Sequence, residues 1–578
     1  MITREQAIVA RVQEVAWADK NYLIVDDFVG VRQLLRESLR NLGARNIDQA
    51  SSGGEAMGLL ARIRYDVVLC DFNLGEGKNG QQVLEEARQR NLLMPSSVWL
   101  MVSAEKSTES VMGAAEHQPD AYLIKPITEG VLLTRLNRVW HKKQVFRPID
   151  QAYGEKDYLR AARLCDEEIA RGAAAAEAAT SDDTIVPARG NIHRIELLRM
   201  KARLMEKSGQ PDKARAAYDE VLAEREYQWA RAGLAKIRMA NGELEQARQL
   251  FQGVIAENRY YIDAYDQLAL TYQRMGQLDE ACSVLERAAR LSPNSVPRQR
   301  HFGQVCLKLG NVGMAEKAFR KCIAIGEYSY VKTADAYLGL ARACGMKNEP
   351  KEALLLLGLV QREFPTDDIR LRAKITEGMV FHESGDYRRA RKAGDELEEM
   401  LGVSQQRPDT ATCLEMATLL FAVGVKEAPV ELLCYVIRNN HDSTLLQEEV
   451  QQIFEKARMG EEGAVLIRAA KKEAADMMNQ GVLLWKTGKL DEAIAWMRKA
   501  RDALPNNLRI LFNAVQILLS SMQQHGYQIM LADEAIAVLM HVDHIHPGQP
   551  RFAQLMEQLA LLAPEADAAP SPDDEARA

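Results

Sequence analysis

The sequence predicts an α/β domain built on a five-stranded parallel sheet, followed by an all-α array of helical repeats. Three observations carry this expectation. Short apolar runs alternate with amphipathic ones over the first 145 residues, the apolar runs then stop, and a 34-residue period begins downstream. In a chain of 578 residues, such an array replaces the roughly four separate domains that length alone would suggest.

The elements follow in order. Tyr22-Leu23-Ile24-Val25 is a short apolar run, and Val31, Leu34, Leu35, Leu39 and Leu42 then trace a helical face closed by Gly43. The alternation recurs with strands at Asn46 to Ala50, Val67 to Cys70, Val98 to Val102 and Ala121 to Ile124. Helices are expected near Gly54 to Ile63, Gln82 to Arg90, Ser107 to Glu116 and from Glu129 onward. Continuous apolar strands separated by helices imply a parallel sheet covered on both faces, with its functional edge at the carboxyl ends of the strands.

Composition narrows the function classes. Lys+Arg 74 against Asp+Glu 81 gives a net charge of −7, so no general basic field draws the chain to nucleic acid or anionic lipid. The longest apolar runs, such as Ala353 to Val360, fall short of the roughly 18 residues of a membrane span. No membrane insertion is expected, and the charged amino terminus lacks a signal-peptide core, so the expected location is cytoplasmic. The eight cysteines form no Cys-x-x-Cys pair, which points to buried thiols rather than a disulfide framework or zinc ribbon.

Polar residues gather at one edge of the predicted sheet. Asp26 and Asp27 end the first strand, Asp71 the third, Ser103 the fourth and Lys125 the fifth. Three converging carboxylates repel one another unless a hard divalent cation sits between them, and an oxygen shell suits Mg2+. Asp71 is then placed to act as a carboxylate nucleophile, with the metal and Lys125 neutralising charge on a transferring phosphoryl group and Ser103 donating a hydrogen bond. The competing reading makes each Asp a helix cap. An aspartyl phosphatase would want an Asp-x-Asp pair, and Asp71-Phe72-Asn73 lacks the second carboxylate.

The set Asp26-Asp27, Asp71, Ser103-Ala104 and Lys125-Pro126, in that order, resembles the receiver domain of two-component response regulators over about residues 18–145. The resemblance implies a flavodoxin-like fold and a phosphoryl group accepted on Asp71 from a histidine kinase or phosphotransfer protein. It implies Mg2+ held by Asp27 and Asp71, by Asp26 through water and by the Asn73 backbone carbonyl. It also implies Ser103 and Lys125 at the phosphoryl group, Tyr122 as the aromatic that reports phosphorylation, and a cis Lys125-Pro126 bond. Two departures stand in the segment Asp71 to Gly80: Gly75 occupies the usual Pro position, and the loop is one residue longer.

Beyond residue 145, Gly242, Gly276 and Gly310 are 34 apart, as are Ala247, Ala281 and Ala315, and Phe251, Leu285 and Phe319. Small residues at Ala235, Ala269 and Gly303 let the first helix of each unit approach the second, while Pro293, Pro365 and Pro505 follow second helices. This pattern resembles the tetratricopeptide repeat, with weaker copies on either side, a strong one at Gly481 to Ala500 and irregular stretches near 440–475 and 510–550.

The expected organisation is an amino-terminal helix over 1–17, a receiver over 18–145, and a divergent first repeat with an Ala-rich linker over 146–192. A solenoid with a capping helix over 193–562 and a disordered acidic tail over 563–578 complete it. Trp229, Lys236, Asp263, Asp266, Gln273, Arg300 and Gln304 are expected on the concave face, and Met478, Val482 and Trp485 on an apolar docking stripe for a protein or peptide. The alternative for Trp485 is packing against the next unit. The expected function is a response regulator without a DNA-binding domain or output enzyme. A constitutive scaffold with an unphosphorylated receiver is the alternative.

Overall fold

The computed structural model describes residues 17–103, 119–180, 190–403, 407–546 and 549–562. The helices expected over 1–17 and near Ser107 to Glu116 lie outside them apart from Trp17, as does the tail over 563–578. Five strands form one sheet: β1 (Asn21–Val25), β2 (Asn46–Ala50), β3 (Val67–Asp71), β4 (Val98–Ser103) and β5 (Ala121–Ile124). Their order is β2-β1-β3-β4-β5, and every neighbouring pair is parallel.

Helices α1 (Val29–Asn41), α2 (Gly53–Leu60), α3 (Gly80–Gln89) and α4 (Glu129–Lys143) cover the sheet. Side chains alternate between faces along each strand. Ile24, Leu69 and Leu100 pack with Leu35 and Leu39 of α1 and Leu132 and Leu136 of α4. Leu23, Val68 and Trp99 pack with Met57 of α2 and with Val83 and Leu84 of α3 on the other face. The result is the doubly wound, flavodoxin-like α/β architecture. β3 and β4 are buried at every position, which explains why they read as unbroken apolar runs.

A 3-10 turn, Gln144–Ile149, leads into α5 (Asp150–Gly154), α6 (Tyr158–Thr180), α7 (Gly190–Lys207) and α8 (Pro211–Glu224). Three regular pairs follow: α9 (Gln228–Ala240) with α10 (Leu244–Glu257), α11 (Ile262–Arg274) with α12 (Leu278–Leu291), and α13 (Val296–Lys308) with α14 (Val312–Gly326). The chain forms two compact units, residues 1–204 with 215–336 and residues 205–214 with 337–578.

In the first unit the 34-residue register is a packing register. Ala247, Ala281 and Ala315 are fully buried, as are Phe251, Leu285 and Phe319. Gly242, Gly276 and Gly310 close the first helix of each pair at φ 83°, 75° and 75°, a left-handed conformation that a residue without Cβ adopts at least cost. At Gly303 a Cβ would lie 2.8 Å from the Phe319 ring, so the small residue sets how closely α13 and α14 approach.

Helices continue through α15 (Ala334–Met346), α16 (Pro350–Glu363), α17 (Asp367–Glu383), α18 (Tyr387–Val403), α19 (Thr410–Ala422) and α20 (Glu427–Asn439). They end with α21 (Thr444–Lys456), α22 (Gly460–Lys486), α23 (Leu490–Ala503), α24 (Leu508–His525), α25 (Ile529–Ile545) and α26 (Pro550–Leu562). The period fades near 440–475 because α22 is one helix of 27 residues. No Pro interrupts Gly460 to Lys486, and its Ala, Lys, Glu and Leu content favours continuation. The turn before α24 reaches back past α21: the Asn506 N–H donates to Asn439 Oδ1 at 3.0 Å, and Asn507 Nδ2 donates to the Arg438 carbonyl at 2.8 Å.

Gly303→Val is expected to lower stability by about 1–3 kcal/mol through overpacking against Phe319. Gly313→Ala, in α14 with open space at its Cβ, is expected to be neutral or stabilising by about 1 kcal/mol or less. Chemical denaturation of the full chain followed by helical circular dichroism checks both; equal midpoints for the two variants would contradict this packing.

Candidate functional site

The parallel register brings the predicted polar residues to one edge. Asp71 ends β3 opposite Val102, and Ser103 ends β4 opposite Ile124. Asp26 follows β1 directly; its N–H donates to the carbonyl of Ala50, the last residue of β2, at 3.2 Å. Its side chain is fully buried and its Oδ1 accepts the Phe28 N–H at 2.9 Å. Asp71 is 7% exposed, whereas Asp27 faces solvent. Asp26, Asp27 and Asp71 each offer a carboxylate oxygen within 4.8 Å of the others.

Lys125, one residue past β5, holds this cluster together. Its Nζ donates to Asp26 Oδ2 at 2.8 Å and to Asp71 Oδ2 at 2.7 Å, and its N–H donates to the Ser103 carbonyl at 2.9 Å. The Lys125-Pro126 bond is cis, as the resemblance implied. Burial pushes the Asp71 carboxyl above its usual pKa; hydrogen bonding and charge from Lys125 oppose that rise, while the Asp26 charge adds to it. Burial pulls the Lys125 ammonium down, but its hydrogen bonds to Asp26 and Asp71 prevail and its pKa is raised. Ser103 is buried at the same edge.

The β3–α3 loop, residues 72–79, carries Asn73 on its exposed side. Gly75 stands at φ 70°, which proline cannot adopt, so the departure from Pro belongs to a different loop path. The loop is fixed at both ends. The Phe72 N–H donates to the Val102 carbonyl at 2.9 Å and the Gly80 N–H to the Phe72 carbonyl at 2.9 Å. A Cβ at Gly80 would lie 2.0 Å from the Asp71 carbonyl oxygen, so α3 starts pressed against the residue that ends β3.

Tyr122 packs half-buried with the α2 and α3 face of the sheet. Its hydroxyl is buried without a hydrogen-bond partner among the described residues, and burial pushes its pKa up. The charge of Arg88 on α3 acts against that rise.

The residues expected on the concave face are largely engaged with neighbouring helices. Lys236 Nζ lies 2.8 Å from Asp263, and the buried Arg298 guanidinium holds both Asp266 oxygens at 2.9 and 2.6 Å. Gln273 Oε1 lies 2.6 Å from His301 Nε2, and Arg300 lies 3.2 Å from Asp335. Trp229 meets Tyr218 edge-on and Tyr227 at a tilt, with the Arg199 guanidinium 5.3 Å from its ring. Gln304 is exposed. In the second unit Met478 and Trp485 pack on the cluster of α23 and α24, while Val482 is half-buried. The concave set thus includes side chains that tie repeat to repeat, which spacing alone does not distinguish from a docking face.

Gln82 and Gly80 were not singled out by sequence reasoning. Asn79-x-x-Gln82 is the detectable signal, a capping box in which Gln82 Oε1 accepts the Asn79 N–H at 3.0 Å and Asn79 Oδ1 accepts the Gln82 N–H at 2.9 Å. It moves the start of α3 from Gln82, where periodicity placed it, to Gly80.

The response regulator receiver domain family matches residues 22–137, and tetratricopeptide repeat families match 198–269, 262–295 with 301–325, and 464–507. Chemotaxis protein CheY-3 of Vibrio cholerae serotype O1 is 32% identical over 120 residues, covering 21% of this chain and 91% of that protein. Chemotaxis protein CheY of Pseudomonas aeruginosa is also 32% identical over 120 residues, covering 21% of this chain and 95% of that protein. A solved structure of chemotaxis protein CheY4 from Vibrio cholerae is 27% identical, covers 21% of this chain and 98% of that one, and has a TM-score of 0.20. Among the described residues no helix is long and apolar enough to cross a membrane. The carboxylate edge, the parallel sheet that presents it, the family matches and the 32% identity to the chemotaxis proteins together establish that the chain belongs to the response regulator receiver family, with tetratricopeptide repeats following the receiver.

Proposed function

We propose that this protein is a response regulator whose receiver is phosphorylated on Asp71 and whose repeats dock a protein partner, without a DNA-binding domain. The observation that carries the reading is the Lys125 ammonium shared between the buried Asp26 and Asp71 carboxylates at a sheet edge. An Asp71 oxygen attacks the phosphorus of a phosphohistidine on a kinase or phosphotransfer protein. The new Asp71 O–P bond forms as the P–N bond breaks, and the imidazole leaves with the electron pair and takes up a proton. Lys125 then exchanges its Asp71 contact for a phosphoryl oxygen, and Ser103 donates its hydroxyl to another.

The donor set suits a hard cation: three carboxylates from Asp26, Asp27 and Asp71 in mutual reach, and oxygen ligands only. Asp27 and Asp71 would hold Mg2+, with Asp26 acting through water and Asn73 offering its backbone carbonyl. Bound there, Mg2+ would supply positive charge for the transferring phosphoryl oxygens. Phe28 and Val29, 70% and 56% exposed at the start of α1, stand close in sequence to Asp26 and Asp27 and offer an apolar contact for the phosphodonor protein. Tyr122, whose buried hydroxyl has no hydrogen-bond partner among the described residues, is the side chain proposed to reorient on phosphorylation. The docked partner is a protein or peptide held by the repeats, and the proposed location is cytoplasmic.

With Mg2+ and a small-molecule phosphodonor, the intact protein is expected to gain the mass of one phosphoryl group, and Asp71→Asn none. Gain without Mg2+, or an equal gain in Asp71→Asn, would contradict the reading. Lys125→Ala is expected to slow phosphorylation by roughly 100-fold or more, the order seen when one preorganised charge donor is lost. The same variant is expected to bind Mg2+ at least as tightly as wild type, because the ammonium no longer competes for Asp26 and Asp71. Asp27→Asn is expected to bind it roughly tenfold more weakly or worse. Calorimetric titration with Mg2+ alone separates these outcomes.

A further inference from the structure

We propose that the receiver docks its own repeat array through α3, and that Gln82 is the side chain through which the state of Asp71 reaches that array. The inference rests on the phosphoacceptor reading above and adds the surface that transmits it.

α3 is buried on more than its sheet-facing side, with Gln82 and Arg88 half-buried and Gln89 exposed. Val83, Leu84 and Ala87 face the sheet, yet Gln81 and Glu85 are also buried, with exposures of 8% and 9%, while Glu86, 4% exposed, pairs with Lys78 and Arg90 of the receiver itself. A helix covering only a sheet would leave its polar side in water. Instead, Gln82 Nε2 donates to the carbonyl of Ile325, in the last turn of α14, at 2.9 Å. That carbonyl is one of those that a helix end leaves without an intrahelical partner. Beyond the far end of α3, the linker grips the next loop: the Ser96 N–H donates to Asp150 Oδ1 at 3.0 Å, and the Tyr153 hydroxyl to Asn91 Oδ1 at 3.4 Å.

The connection to Asp71 is short and stiff. The Asp71 carbonyl abuts Gly80 closely enough to exclude any Cβ, and the loop that carries Asn73 ends at Asn79. Gln82 uses both ends of one amide, its Oε1 on the Asn79 N–H at 3.0 Å and its Nε2 on Ile325 at 2.9 Å. A loop displacement that carries Asn79 with it must therefore stretch one of these bonds or the other. The amide is a two-position element: joined to the array when the loop rests as described, released when the loop moves to meet the loaded acceptor. The phosphoryl group biases that choice only through its differential contacts with the two loop positions.

Hydrogen exchange on the full chain tests this, with phosphorylation of each sample verified by intact mass. Upon phosphorylation, wild type is expected to exchange faster over residues 321–333 and at the start of α3, by roughly tenfold for the loss of one such hydrogen bond. Asp71→Asn should show no change. Gln82→Glu retains an acceptor for the Asn79 N–H but cannot donate to Ile325. It is expected to accept phosphate as wild type does, to exchange fast over 321–333 before phosphorylation, and to respond no further. If the mass gain is present and exchange over 321–333 is unchanged, or if Gln82→Glu responds as wild type does, the route through Gln82 is overturned while the phosphoacceptor reading stands. Absence of any mass gain in wild type would overturn both.

Discussion

Much of this receiver depends on keeping two buried carboxylates beside one ammonium. Asp26 is out of water and Asp71 almost so, and each ionised carboxylate in such a place is costly unless compensated. Lys125 bonds to both at 2.8 and 2.7 Å, but one ammonium leaves two carboxylates with an excess of negative charge, which Asp27 increases. The site is therefore poised for a further cation and for a group that can exchange places with the ammonium. Its chemistry follows from this charge imbalance held in a fixed geometry, rather than from any one residue.

The fold maintains that imbalance by covalent and packing constraints that lie away from the charges. Parallel pairing puts the carboxyl ends of β1, β3, β4 and β5 on one edge, and the apolar strands behind them are clamped between two helix layers. Gly80 lets α3 begin against the Asp71 carbonyl, and a backbone bond from Lys125 to Ser103 sets the height of the ammonium. In the repeats the same logic applies at larger scale. Small residues such as Gly303 set the distance between helices, and ion pairs such as Lys236 with Asp263 and Arg298 with Asp266 tie one pair to the next.

How legible all this was in the sequence depended on the kind of interaction. Strand ends were legible because burial on both faces leaves an apolar run that stops where polar residues begin, as at Val25-Asp26 and Cys70-Asp71. The repeat register was legible because Ala247, Ala281 and Ala315 answer the same packing demand at the same spacing. Contacts between a side chain and a distant backbone carbonyl, such as Gln82 with Ile325, have no period and left no comparable trace. Likewise, a polar stripe on a helix does not reveal whether it meets a partner or the next repeat, which is why Asp266 read as a docking residue and stands as half of an internal ion pair.

The central claim is that Asp71, of the two carboxylates held by Lys125, is the proposed carrier of the phosphoryl group as an acyl phosphate. Hydride reduction tests it directly, because borohydride converts an aspartyl phosphate to the corresponding alcohol and marks the residue permanently. After incubation with Mg2+ and a phosphodonor, reduction and peptide mass analysis should place that alcohol at position 71 alone. An unreduced Asp71 in protein that has gained phosphate, or an alcohol at Asp26 or Asp27, would contradict the account.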